Sequence, residues 1–297
     1  MALTTTRRGF LLRGGVMGIA ASLSPFAFAR RPEPFRPPIG VCRSPDDGRV
    51  LADAGVEYLE VSCQGWLVPG APDGEFDARR RGLLASPVPA RAANGFLPGS
   101  LRCTGPDADP EAVLRYAAVA FERAERVGIR TITFGSSGAR SVPAGYPPAD
   151  AELQFAALLA RMGPLAARHG VTVCVEPLQR RETNFIHLVP EALRIVRAVK
   201  HPNIAITADI FHMLRGDDPP ASIRDAAGFV RHTHIAEKRA RTAPGHDGDD
   251  FTPYLQTLAD TGFAGGISIE CRWDDVGSEA ARAVATLRGQ LRGVVTR

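Results

Sequence analysis

The sequence has no long hydrophobic run and no strong excess of one charge. None of its apolar stretches reaches the roughly 18 residues that a membrane-spanning helix requires, so we expect no stable membrane anchor. Of its 297 residues 23% are charged and 44% are hydrophobic, which excludes a disordered or collagen-like chain. The formal charge is only +4, whereas a nucleic-acid-binding surface is normally a dense basic cluster. We therefore expect no nucleic-acid partner.

Cysteine is scarce as well. The chain has five cysteines, which are Cys42, Cys63, Cys103, Cys174 and Cys271. An odd number in a chain of this length does not form a disulfide framework, and no two of them have the spacing of a zinc ribbon. We interpret them mainly as small buried hydrophobic residues, with a single disulfide left open.

The first 29 residues have the layout of a secretory signal. Arg7, Arg8 and Arg13 precede a modest apolar stretch, and Ala27 and Ala29 form an A-x-A cleavage site. The arginine pair followed by Gly-Phe-Leu-Leu resembles a twin-arginine signal. This resemblance implies that the folded protein is exported to the periplasm by the twin-arginine translocase. Removing the three arginines from the formal charge of +4 leaves a mature charge of +1.

Strand-like and helix-like runs alternate eight times after the signal. The candidate strands are 39–43, 57–62, 94–97, 130–135, 171–176, 204–210, 230–235 and 266–271. Asp109-Pro110 and Gly128 predict the two ends of one helix between them, and Asp150 predicts the start of another. Eight such units favour the α/β class, with residues 30–297 as one parallel eight-stranded (β/α)8 TIM barrel. A doubly wound sheet is disfavoured because no glycine-rich nucleotide-binding motif follows the first strand.

Four consecutive predicted strands end near an ionisable residue. These residues are Glu176, Asp209, His234 and Glu270. They fall on the more polar face of each strand, which should line the barrel interior, and catalytic groups of this fold lie at the carboxyl ends of the strands. Three converging carboxylates repel one another unless a cation neutralises them. Three oxygen donors and one imidazole therefore predict one divalent metal ion, with Mn²⁺ favoured and Mg²⁺ or Co²⁺ as alternatives.

Several segments resemble a known family. VEPLQRRETNF (175–185), ADIFHM (208–213), HTHIAE (232–237) and SIEC (268–271) are similar to motifs of the xylose-isomerase-like barrel family of sugar epimerases and isomerases. The resemblance is strongest to the D-tagatose/D-psicose 3-epimerases and spans most of residues 39–275. It implies that Glu176, Asp209, His234 and Glu270 are the metal ligands, and that Glu176 and Glu270 are also the catalytic pair.

The same resemblance supplies candidates for sugar binding. It implies that Glu182 and His212 contact the substrate. The family's Asn-Arg pair after the His-x-x-Glu motif is not reproduced cleanly here. Arg239 and Arg241 both lie in that segment, and we choose Arg241 as the substrate-binding candidate. His232 is inward but deeper, and we interpret it as a residue packed behind the site.

The implied chemistry is proton abstraction next to a carbonyl. The proton is weakly acidic, so the metal would stabilise an enediolate intermediate while Glu176 and Glu270 act on opposite faces of the carbon. An aldose–ketose isomerase would use the same residues. A small sugar is thus the expected partner. No glycine-rich phosphate loop or cluster of paired basic residues is evident after the last two strands, so we expect an unphosphorylated sugar or a sugar derivative.

Three other classes compete with this interpretation. One is a metal-dependent lyase of the inosose or dehydroshikimate dehydratase type, which would expel a hydroxyl group at the same site. Another is a nuclease related to abasic-site endonucleases, but the required histidines are missing from 62–66 and 96–100. The third is a non-catalytic sugar-binding barrel, which the intact ligand set disfavours.

Overall fold

The computed structural model describes residues 33–296, so the predicted signal, including Arg7 and Arg8, lies outside the described residues. Eight parallel strands close into a barrel in which each strand pairs with the next and the last pairs with the first. The strands are β1 (Ile39–Cys42), β2 (Tyr58–Ser62), β3 (Ala90–Asn94), β4 (Thr131–Phe134), β5 (Thr172–Val175), β6 (Ile204–Asp209), β7 (Val230–Ile235) and β8 (Ile267–Ile269). The predicted parallel eight-stranded (β/α)8 TIM barrel is confirmed.

Helices surround this barrel. They are α1 (Gly48–Asp53), α2 (Asp73–Ala85), α3 (Pro110–Val127), α4 (Ser137–Arg140), α5 (Pro148–Arg168), α6 (Val189–Val199), α7 (Ile210–Arg215), α8 (Pro220–Asp225), α9 (Thr252–Asp260) and α10 (Val276–Leu291). Within residues 33–296 none of them is long and apolar enough to cross a membrane. A short antiparallel pair, Glu33–Pro34 with Val295–Thr296, joins the two ends of the described chain.

The ends of two long helices can be compared with the capping residues that the sequence predicts. Helix α3 begins and ends as predicted, because the Asp109 carboxylate accepts a hydrogen bond from the Ala112 amide at 2.9 Å and Gly128 adopts φ 83°. The prediction for α5 was wrong by one turn. Pro148 begins that helix, since its fixed φ suits the first helical position, and Asp150 lies in the first turn without capping it.

The predicted third strand was misplaced. The strand is Ala90–Asn94 rather than 94–97, because small alanines rather than bulky apolar residues form this part of the barrel wall. The side chains that suggested a strand belong to the following loop. Phe96 is buried there and packs on Phe121 and Phe134, with ring centroids 5.8 and 5.2 Å away.

A run of aromatic contacts supports the loops at the carboxyl end of the barrel. The ring centroids of Phe134 and Phe155 are 5.3 Å apart, and those of Phe155 and Phe185 are 5.7 Å apart. These edge-to-face contacts link β4 to α5 and to the loop that follows β5. The loop after β5, which carries Glu182, is therefore packed against the core between the barrel and α5.

Candidate metal centre and substrate pocket

The structure brings the four predicted ligands together at the carboxyl end of the barrel. Asp209 ends β6, His234 lies in β7, and Glu176 and Glu270 follow β5 and β8. One ligand atom from each lies within 4.8 Å of the others. Nδ1 of His234 lies 2.8 Å from a Glu176 oxygen and 3.0 Å from a Glu270 oxygen. The centre is thus a compact group of three carboxylates around one imidazole.

Asp209 shows that this donor set fits a cation. Its Oδ1 accepts a hydrogen bond from the His212 amide at 3.1 Å and so caps α7. Its Oδ2 is buried and has no hydrogen-bond partner among the described residues, and it lies 3.9 Å from Nδ1 of His234. A buried carboxylate oxygen without a partner is costly unless an ion neutralises it. Hard oxygen donors with one imidazole suit a divalent ion of the Mn²⁺ or Mg²⁺ kind.

The two glutamates of the centre differ in their electrostatic surroundings. Burial raises the pKa of Glu176 despite the attraction of His234, and the nearby carboxylates of Glu270 and Asp209 raise it further. Burial also raises the pKa of Glu270, but His234 and then Arg241 outweigh that effect and lower it to about 2. Glu270 is therefore the better ionised of the two.

Neighbouring residues fix each glutamate in place. The fully buried Arg140 donates a hydrogen bond from Nη2 to the backbone carbonyl of Glu176 at 2.6 Å. Gly135 lies against the Glu176 carboxylate so closely that a Cβ there would overlap Oε2. Glu270 accepts a hydrogen bond from Nδ2 of Asn94 at 3.0 Å. The two carboxylates are consequently held in place before any substrate binds, by residues at the ends of the neighbouring strands β3 and β4.

Glu60 is a site residue that the sequence reasoning missed. It projects inward from β2, is fully buried, and its carboxylate lies 2.9 Å from Nε2 of His234 and 2.6 Å from Nε2 of His232. Burial raises its pKa, but the two imidazoles lower it well below its usual range, so it is ionised. The alternation in Tyr58–Ser62, with Leu59 and Val61 facing outward, carried the signal that could have found it. His232 lies behind the centre as predicted.

His212 and Glu182 lie on one side of the same centre. The Gln179 amide donates a hydrogen bond to Nδ1 of His212 at 3.3 Å, which leaves Nε2 as the protonated nitrogen. That Nε2 is buried without a hydrogen-bond partner among the described residues, 3.5 Å from Asp209 and 3.8 Å from Glu182. It is therefore an available donor beside the predicted ligands.

The loop after β7 determines which arginine reaches the centre. The buried carboxylate of Glu237 accepts hydrogen bonds from the amides of Gly245 at 2.6 Å and Gly248 at 3.2 Å, which folds the loop around it. Arg241 has φ 57° in this loop, and its guanidinium forms an ion pair with Glu270 at 2.5 Å. Arg239 instead points outward and pairs with Asp247. The structure thus places Arg241, the chosen candidate, in the site.

A cavity of about 310 Å³ opens above these residues. Its wall includes Asn94, Gly135, Glu176, Glu182, His212, Arg241 and Glu270. The five predicted catalytic and substrate-binding residues therefore face one small polar chamber, which is accessible from the carboxyl end of the barrel. A chamber of this size and polarity suits a small hydroxylated molecule.

Comparison with known proteins agrees with this fold. The sequence model described as "Xylose isomerase-like TIM barrel" matches residues 49–290. The chain therefore belongs to the xylose isomerase-like TIM barrel family.

Individual relatives are named as epimerases and isomerases. The chain is 32% identical over 102 residues to the D-psicose 3-epimerase of Ruminiclostridium cellulolyticum, covering 34% of each chain. It is 33% identical over 141 residues to a 2-oxo-tetronate isomerase of Cupriavidus necator, covering 44% of this chain and 54% of the other. The matches thus span about a third to a half of these relatives. The structure of D-psicose 3-epimerase from Clostridium cellulolyticum H10 superposes with a TM-score of 0.75 at 19% identity, over 86% of this chain and 99% of that one.

Proposed function

We propose that this protein is a divalent-metal-dependent sugar epimerase or isomerase, with epimerisation of a ketose at carbon 3 as its main reaction. One observation carries the proposal: the carboxylates of Glu176 and Glu270 approach the same atom, Nδ1 of His234, at 2.8 and 3.0 Å. They come from β5 and β8, which lie on nearly opposite sides of the closed barrel. Two carboxylates so placed can act on opposite faces of one bound carbon. Relatives named as epimerases and isomerases support the same class.

The metal would be held by the four residues of the centre, Glu176, Asp209, His234 and Glu270. When bound, it supplies Lewis-acid stabilisation of the negative charge that develops on the substrate oxygens. The orphaned Oδ2 of Asp209 and the three carboxylates favour Mn²⁺ over a thiolate-preferring ion. Removal of this metal is expected to abolish turnover.

Substrate positioning is assigned to the residues around the chamber. The protonated Nε2 of His212 donates a hydrogen bond to a substrate oxygen. Glu182 lies 3.5 Å from Arg241, and the two together can accept from and donate to neighbouring hydroxyl groups. Arg241 also lies over the ring of Phe211 at 4.8 Å, which limits its movement.

The two proton-transfer roles are complementary. The ionised glutamate takes the proton from the carbon beside the carbonyl, and the protonated glutamate delivers a proton to the opposite face. The reverse reaction exchanges the two roles. In the metal-free protein Glu270 is the more readily ionised of the two, because burial is outweighed by His234 and Arg241, which lower its pKa to about 2, whereas burial raises the pKa of Glu176.

A lyase on the same centre is the alternative. It would share the proton abstraction by a glutamate but would release a hydroxyl group as water. Relatives of this chain are named as epimerases and isomerases, which favours a reaction whose product keeps all the atoms of the substrate. The two reactions differ in product mass.

The test is an assay of metal-loaded and chelated protein against free ketoses, keto-sugars and glycosides. We expect deuterium exchange from heavy water and an isomeric product of unchanged mass in the presence of Mn²⁺, and neither after chelation. Full activity after exhaustive chelation would overturn the metal assignment. A product lighter by one water would move the protein to the lyase class.

A further inference from the structure

A second cavity adjoins the catalytic chamber, and five of its eleven lining residues are arginines. It has a volume of about 760 Å³, and its eleven wall residues include Arg181, Arg215, Arg239, Arg241 and Arg272. Only two carboxylates, Glu182 and Glu270, line the same cavity. This positive excess contrasts with the mild charge of the whole chain, which is +4.

Three of these arginines have no acidic partner in the part of the chain that the structure describes. Arg241 forms ion pairs with both carboxylates of the wall, and Arg239 pairs with Asp247. Within residues 33–296, no carboxylate lies within 4.0 Å of the guanidinium of the remaining three, which are Arg181, Arg215 and Arg272. Arg215 reaches only the carbonyl oxygen of Lys238, at 3.4 Å. Positive charge is thus left uncompensated around this cavity.

The arginine-lined cavity continues from the chamber that holds the predicted ligands. Glu182, Arg241 and Glu270 belong to both walls. Arg181, Arg215 and Arg272 come from the segments after β5, β6 and β8 respectively, so three separate segments contribute positive charge to the cavity wall. A sugar whose reacting carbon lies beside Glu270 would extend its remote end between these side chains.

We propose that the arginine-lined cavity binds an anionic group, a carboxylate or a phosphate, at the end of the substrate remote from the reacting carbon. The inference rests on the proposed function and narrows its substrate to acidic sugars. Guanidinium groups form paired, charge-assisted hydrogen bonds with both kinds of anion. The sequence did not reveal the cluster because its members are scattered between positions 181 and 272 and belong to no local motif. The sequence-based expectation concerned only the segments after the last two strands, whereas Arg181 and Arg215 follow β5 and β6.

The test compares a ketohexose with its matching keto-hexuronate and 6-phosphate. The ratio of kcat/KM for the acidic to the neutral compound is measured for the wild type and for the double variant Arg181→Gln/Arg272→Gln. The matched control is Arg115→Gln/Arg168→Gln, which removes the same charge from exposed positions of α3 and α5. We expect the wild type to have a higher kcat/KM for an acidic compound than for the neutral one. The ratio of the two values should fall roughly tenfold in the cavity variant and stay unchanged in the control. The better of the two acidic compounds identifies the anion.

Failure of this inference can be separated from failure of the proposed function. Turnover of the neutral ketose with an acidic-to-neutral ratio near one, or a ratio unchanged in the cavity variant, would overturn the anion site alone. Absence of turnover and of deuterium exchange with all three compounds would refute the proposed function. In that case the anion site is tested by calorimetric measurement of the binding of the same three compounds. An acidic compound that binds more tightly than the neutral one, and less tightly to the cavity variant than to the wild type, supports the anion site. Equal binding of the acidic and neutral compounds overturns it.

Discussion

The carboxylate of Glu60 accepts a hydrogen bond from Nε2 of His234 at 2.9 Å, deep inside the barrel, where both side chains are fully buried. This contact leaves Nδ1 of the imidazole directed at Glu176 and Glu270. A carboxylate behind a metal-ligating histidine fixes its tautomer and ring orientation and increases its basicity. Glu60 is thus a positioning residue for the proposed centre, because it contacts the ligand and not the reacting atoms.

Replacing Glu60 by glutamine should weaken metal binding while the barrel stays folded. The carboxylate uses one oxygen for His234 and the other for His232, whereas an amide places a donating NH2 group opposite one of the two imidazoles. We expect a loss of metal affinity of about 10- to 100-fold, measured by competition with a chelator. Glu75→Gln, on the exposed surface of α2, is the matched control and should bind metal like the wild type. An unchanged affinity in folded Glu60→Gln would remove this residue from the site.

Metal binding should release a proton from His234. Burial lowers the pKa of this imidazole, but the carboxylates of Glu60, Glu270 and Glu176 outweigh burial and raise the pKa well above its usual value. The metal-free histidine is therefore protonated near neutral pH, whereas the metal needs the free lone pair of Nδ1. Affinity should accordingly rise with pH.

Calorimetry in buffers of different ionisation enthalpy measures this release directly. We expect about one proton per metal ion at pH 7. Asp209→Asn, which removes one anionic oxygen but keeps the imidazole, should bind metal more weakly and still release the proton. Binding enthalpies that do not depend on the buffer would contradict the assigned protonation of His234.

The absence of a side chain at Gly135 should be essential for the position of Glu176. A Cβ at this residue would overlap Oε2 of the glutamate, so Gly135→Ala must displace the carboxylate from the centre. We expect a loss of turnover of at least tenfold with a small change in thermal stability. Gly74→Ala is the control, because its added Cβ meets nothing within 4 Å. Equal activity in the two variants would show that Glu176 tolerates displacement.

The barrel could be predicted because strand alternation and helix caps act locally. The position of β3 could not be predicted, because its alanines form a strand only by pairing with the neighbouring strands β2 and β4. The four predicted ligands could be identified because catalytic groups of this fold lie at the carboxyl ends of the strands. Glu60 could not be identified by the same rule, because it lies deeper along its strand. The arginine-lined cavity needed the folded loops, which alone bring together Arg181 and Arg272.

Export is a separate proposal that rests on the first 29 residues. We propose that the Arg7-Arg8 pair directs the folded protein through the twin-arginine route to the periplasm. Replacing both arginines by lysine should leave the precursor in the cytoplasm, which cell fractionation followed by immunoblotting measures. Normal export of this variant by that route would rule out the assignment.

We propose that Glu176 and Glu270 move protons on opposite faces of one substrate carbon. The most direct measurement is deuterium incorporation from heavy water into unreacted substrate, run beside product formation, for wild type, Glu176→Gln and Glu270→Gln at matched metal content. Each glutamine keeps the size of the side chain and one coordinating oxygen but cannot accept the proton.

Product formation is expected to fall by roughly 10²- to 10⁴-fold in each variant. With a given epimer, exchange should survive in the variant that keeps the glutamate on the face of the departing proton and be lost in the other variant. With the opposite epimer, the two variants should exchange this behaviour. Wild-type product formation in either metal-loaded variant would contradict the claim, because a glutamate that can be replaced without loss takes no part in proton transfer.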